Sequence, residues 1–128
     1  VGECTAAEWS EDGRFVATAT SHGLIELIET STGRSVWQAD GETHRVLCRV
    51  TQIAFSPDGK WIAASGLHST FVLWSITEPQ TVRRISGHSG LVRAIEFSRT
   101  SDSVFTGSLD GTIRQWSLES FSLLNTIE

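Results

Sequence analysis

Phe55 to Trp74 reads FSPDGKWIAASGLHSTFVLW, Phe97 to Trp116 reads FSRTSDSVFTGSLDGTIRQW, and the two lie on one another without a gap at a spacing of 42 residues. Outside these stretches the same offset carries Val50 onto Val92, Ile53 onto Ile95, Ser75 onto Ser117 and Ile85 onto Ile127; inside them, Phe55, Ser56 and Trp74 recur as Phe97, Ser98 and Trp116. A fainter copy lies 46 residues upstream, from Trp9 to Ile28, where Ser10, Asp12, Gly13, Ala17 and Leu27 stand for Ser56, Asp58, Gly59, Ala63 and Leu73. The chain is an array of three units.

Repeats of about 40 to 45 residues are the mark of propeller blades, each a four-stranded sheet that needs a neighbour to bury its face. The third copy spells out one such sheet. Residues 91–97 predict a first strand packed on both faces, and the polar run Ser98 to Asp102 a turn. Ser103 to Ser108 reads as the second strand, Leu109 to Thr112 as a tight turn, Ile113 to Leu118 as the third strand and Ser122 to Ile127 as the fourth. In the middle copy Ser56-Pro57-Asp58-Gly59 is a hairpin turn, because proline presets φ at its second position. The first copy writes that turn Ser10-Glu11-Asp12-Gly13, and no segment sustains a helical period. The expected fold is all-β: three consecutive four-stranded antiparallel blades, near 1–41, 46–86 and 88–128, making an incomplete ring.

Composition narrows the function classes. Of 128 residues 39% are hydrophobic and 20% charged, which suits a globular chain, and no apolar run approaches the roughly 18 residues of a membrane span. A net charge of -5 with a single lysine argues against a nucleic-acid surface, which needs clustered cations. The charge is uneven: residues 46–87 carry four bases and two acids, whereas the segments on either side are net acidic. Cys4 and Cys48 have neither the spacing of a zinc site nor the number of a disulfide framework, and both are expected to be buried or half-buried near the start of a first strand. Two unpaired thiols and no visible signal peptide suggest an intracellular protein, cytoplasmic or nuclear. No Met occurs, so the chain reads as an excerpt.

Gly87-His88, then Val92, Ile95, Phe97 and Ser98, then Thr106 to Trp116 (TGSLDGTIRQW), resembles a WD40 repeat. The likeness is strong in the third copy, good in the second and weak in the first, where Ile28 replaces the tryptophan. What the resemblance implies is a structural tetrad of His88, Thr106, Asp110 and Trp116 joined by hydrogen bonds. A histidine, a hydroxyl and a carboxylate also suggest a catalytic triad, but this hydroxyl would be spent on the Trp116 indole, so no catalytic residue is assigned. In the second copy Ala64 stands for Thr106, His68 for Asp110 and Val46 for His88, which leaves Trp74 to packing and frees His68 into solvent. The first copy keeps Thr18 but has His22 in the aspartate position.

The resemblance further implies that the rim gathering the inter-blade connections and the turns between second and third strands binds partners. Here that rim carries Ser21, His22, His44, Arg45, Arg49, Leu67, His68, Ser89, Arg93 and Leu109, with residues 40–49 forming the longest connection. His22 and His68 are too few ligands for a metal, and no cofactor is expected. The leading reading is a non-catalytic scaffold for a protein or peptide, not an enzyme, with no nucleic acid or membrane partner. The other is a structural segment whose open flanks are closed by further blades or by a second copy of the chain, two copies making six blades.

Overall fold

The computed structural model describes residues 2–40, 49–78 and 81–128. Twelve strands form three sheets. The first sheet is β1 (Cys4–Trp9), β2 (Phe15–Thr20), β3 (Leu24–Glu29) and β4 (Ser35–Asp40); the second is β5 (Val50–Phe55), β6 (Trp61–Gly66), β7 (Phe71–Ser75) and β8 (Val82–Ile85). The third is β9 (Val92–Phe97), β10 (Ser103–Ser108), β11 (Ile113–Ser117) and β12 (Leu123–Ile127). Every sheet is an antiparallel meander in chain order. Among the described residues there is no helix, and so none long and apolar enough to cross a membrane.

The repeat register survives as hydrogen bonds. At each first turn a serine hydroxyl donates to an aspartate at 2.7 Å and accepts the N–H that opens the second strand: Ser10 with Asp12 and Phe15, Ser56 with Asp58 and Trp61, Ser98 with Asp102 and Ser103. The N–H groups of Ser21, Leu67 and Leu109, at matching places in the second turns, donate to the carbonyls of Glu3, Arg49 and Leu91.

The first strands lie side by side, β1 against β5 and β5 against β9, so the sheets fan out from that edge. Ile25, Leu27, Ile53, Ile62, Val72 and Trp74 fill the core between the first two sheets. Phe71, Leu73, Ile95, Phe97, Val104 and Trp116 fill the core between the second and third. The middle sheet is therefore covered on both faces, and all five residues of β7 are buried. Each outer sheet has one open face, which leaves Trp9 61%, Ile113 48% and Ile127 49% exposed.

Three expectations need correction. Cys4 is exposed, because β1 borders the open flank and its pairing with β2 is irregular between Cys4 and Ala6. The first strand of the third copy starts at Val92 and is packed on one face: Val92, Ile95 and Phe97 are buried, while Arg93, Ala94 and Glu96 are exposed; Glu96 matches Ala54, which is buried in the middle sheet where a further sheet covers it. His68 is half-buried rather than free in solvent, and its carbonyl accepts the Val92 N–H at 3.0 Å, tying the second sheet's turn to the third sheet. Cys48, His44, Arg45, Val46 and most of the 40–49 connection lie outside the described residues.

Candidate functional site

Antiparallel meanders put the turns between second and third strands, and the connections between sheets, at one end of the array. At that end of the third sheet Trp116 Nε1 donates to Thr106 Oγ1 at 2.8 Å, and Thr106 Oγ1 lies 2.7 Å from His88 Nε2. His88 Nδ1 lies 2.8 Å from Asp110 Oδ2. A carboxylate only accepts, so Nδ1 carries the proton, Nε2 accepts, and the threonine hydroxyl both accepts from the indole and donates to the ring.

Thr112 adds a fifth member that the sequence reading missed. Its hydroxyl donates to Asp110 Oδ1 at 2.7 Å and lies 3.3 Å from His88 Nδ1. Thr112 and Thr70 sit at the 42-residue spacing, which is the signal that could have pointed to it. The Thr112 hydroxyl, ahead of the His88 ring and despite the opposing effect of burial, holds the Asp110 carboxyl well below the usual carboxylate range. Asp110 also accepts the Ser89 N–H at 3.1 Å, and Arg114 donates to the Gly87 carbonyl at 2.7 Å, so the connection into β9 is pinned at two points.

The hydroxyl, ring and carboxylate are in triad order, but Thr106 is 1% and His88 6% exposed. No substrate reaches a hydroxyl buried at that depth, so the arrangement holds structure rather than performs chemistry. In the second sheet Ala64 stands where Thr106 does, and the indole loses its acceptor. Trp74 is fully buried beside Ala64, and neither its Nε1 nor the Thr70 hydroxyl has a partner. In the first sheet Thr18 remains on β2, with Ile28 where the others have tryptophan.

The rim residues are dispersed along this end. Leu67 and Leu109 are 47% and 65% exposed at matching turn positions of neighbouring sheets. Arg49, Ser89 and Arg93 are exposed, as is His22 on the first sheet; Ser21 and His68 are half-buried. Ser21 Oγ accepts the Glu3 N–H at 3.2 Å. Among the described residues no group of three or more His, Cys, Asp or Glu side chains could hold a metal ion.

A radial array of four-stranded meanders, with a buried His-Thr-Asp-Trp chain at one end, defines a segment of a β-propeller. The family description "WD domain, G-beta repeat" matches residues 39–75 and 79–117, and the chain belongs to the WD40 repeat family. It is similar to Protein HIR1 of Cryptococcus neoformans, 28% identical over 98% of this chain and 16% of that protein. It is also similar to COMPASS component SWD3 of Saccharomyces cerevisiae, 28% identical over 93% of this chain and 36% of that one. Of solved structures, the RRP9 WD40 repeats superpose with a TM-score of 0.89 at 20% identity, covering 98% of this chain and 38% of theirs. The chain thus spans about one sixth of the HIR1 relative and just over a third of SWD3.

Proposed function

We propose that the protein is a non-catalytic scaffold that presents the rim at the His88 end of its blades to a protein or peptide. The observation that carries this reading is the pair Leu67 and Leu109, large apolar side chains left exposed at matching turns of adjacent blades, with the Leu67 N–H held on the carbonyl of exposed Arg49. An exposed leucine means little singly, but two in register at the turns of adjacent sheets are of the kind that partners use. The family supports it, since WD40 proteins generally serve protein interaction, and so do the names of relatives such as the COMPASS component. On this reading the protein works inside the cell, in the nucleus or cytoplasm. The test is affinity capture from cell extract with the wild-type protein and with a Leu67→Asp, Leu109→Asp double variant. Loss of a captured protein with the variant supports the rim; retention of every one sinks it.

The second reading, a structural segment that completes a propeller with further blades or a second copy, has its own support. The outer sheets leave Trp9, Ile113 and Ile127 exposed on flanks that blade packing would cover. Light scattering separates its two forms: a dimer indicates closure by a second copy, and a monomer within a longer parent chain indicates closure by additional blades.

A further inference from the structure

At the end of the array opposite His88, the turns between third and fourth strands carry a backbone anomaly. Gly33 and Phe121 occupy the same position in those turns, each donating its N–H to the residue four before it, Glu29 at 2.8 Å and Ser117 at 2.9 Å. Gly33 has φ 69° and Phe121 φ 57°. The left-handed region suits glycine and strains a bulky aromatic side chain, and such outliers concentrate where the strain serves a purpose.

The strain sets the Phe121 ring across the boundary between the second and third blades. It meets Trp61 edge to face, with centroids 5.6 Å apart at 73°, and the Arg83 guanidinium lies 4.7 Å above it. Trp61, Phe121, Arg83 and Lys60 line a cleft of about 430 Å³. Lys60 and Arg83 are exposed, and among the described residues neither makes an ion pair. The one carboxylate in the cleft, Glu78, accepts the Thr81 hydroxyl at 3.3 Å.

We propose that this cleft is a second docking site, separate from the rim, for a short acidic peptide segment with one aromatic or aliphatic anchor. The anchor packs on the Trp61 and Phe121 rings while flanking carboxylates meet Lys60 and Arg83. Charge decides the partner class. Two exposed cations that make no ion pair among the described residues, beside two half-buried aromatic rings, in a chain of net charge -5, select an anion with an apolar body. A nucleic acid strand would offer stacking and charge as well. On the far side of Trp61, however, Asp58, Asp102 and Glu119 line the adjoining cleft, and a continuous polyanion would run into them. A peptide that ends or changes charge within a few residues does not.

The test is fluorescence anisotropy of the full protein with a fluorescein-labelled peptide in which aspartates flank one phenylalanine. Two controls are its alanine counterpart and a lysine version. Saturable binding of the aspartate–phenylalanine peptide alone is expected, weakened by about tenfold or more by Arg83→Glu, by Lys60→Glu and by Phe121→Gly. Phe121→Gly removes the ring while leaving a residue suited to that φ, and circular dichroism confirms that the sheets persist. Arg34→Glu, a charge reversal at the corresponding turn of the first blade, should leave affinity unchanged, as should the rim double variant Leu67→Asp, Leu109→Asp. No saturable binding, equal binding by the Lys60 and Arg83 variants, or stronger competition by a single-stranded oligonucleotide would each overturn the proposal.

Discussion

Thr106→Val removes one hydroxyl and almost no volume, which makes it the sharpest probe of the polar network. The hydroxyl accepts from Trp116 Nε1 at 2.8 Å and donates to His88 Nε2 at 2.7 Å. Trp116 is 4% and His88 6% exposed, so water replaces neither bond. Two buried polar atoms lose their partners, each at a cost of about 1–3 kcal/mol, which gives a range of about 2–6 kcal/mol. The second blade argues for the lower half, because Trp74 is fully buried with an unpartnered indole and the sheet still forms. The expected loss is therefore about 3 kcal/mol, a fall in Tm on the order of 10 °C for a domain of this size.

Urea and thermal unfolding followed by circular dichroism measure the loss, and two companion variants remove ambiguity. Thr18→Val changes the matching residue of the first blade, where Ile28 replaces the tryptophan, and should shift stability by less than about 0.5 kcal/mol. Ala64→Ser places an acceptor near the Trp74 indole and should recover up to about 1 kcal/mol if the tight site admits the oxygen. A Thr106→Val protein within about 0.5 kcal/mol of wild type, or no more affected than Thr18→Val, would refute the energetic role assigned to the network.

Acid should unfold the third blade through its aspartates. The Asp110 carboxyl is lowered by the Thr112 hydroxyl and then His88, and Asp102 by the hydroxyls of Ser98 and Thr100. A depressed folded-state pKa contributes stability that is present above the ordinary value of 3.8 and lost as pH falls through the lower folded value. Unfolding free energy should therefore decline below about pH 4, and Asp110→Asn should flatten that decline; an unchanged pH profile in the variant would remove Asp110 from the account. Gly87→Ala should destabilise by about 1–3 kcal/mol in the same urea assay, since Gly87 has φ 154° and a Cβ there would lie 2.8 Å from the Trp116 ring. A variant as stable as wild type would show that the connection into β9 gives way freely.

The repeat made the fold legible because turns are local. Ser10, Ser56 and Ser98 each need only an aspartate a few residues on to close the same staple, so identical letters produce identical hydrogen bonds at 2.7 Å. Burial is not local, and there the reading slipped. Cys4 and Glu96 match Val50 and Ala54, both buried in the middle sheet, yet a face is covered only where a neighbouring sheet exists. His68 was placed by analogy with Asp110, but its carbonyl is held by the N–H of Val92 in the next blade, a contact that its own repeat does not encode. Phe121 left no trace at all, because an aromatic residue at a left-handed turn position runs against the turn propensities that sequence reading depends on.

The uneven wear of the polar network follows from where each blade sits. In the middle sheet every residue of β7 is buried, with Val72 and Trp74 facing the first sheet, and Phe71 and Leu73 the third. Each large apolar side chain so enclosed contributes about 1.5–3 kcal/mol, more than the roughly 1 kcal/mol net of a neutral hydrogen bond. A sheet clamped on both faces by such residues stands with the Trp74 indole unpartnered. The third sheet is packed on one face only, with β12 exposed throughout, and there the chain from Trp116 to Asp110 fixes the connection that enters β9. Apolar burial and the hydrogen-bonded tetrad are thus alternative ways of securing a blade. The rim is held stiff by the network around His88 and Asp110, and around Leu67 by packing together with the backbone bonds of Leu67 to Arg49 and of Val92 to His68.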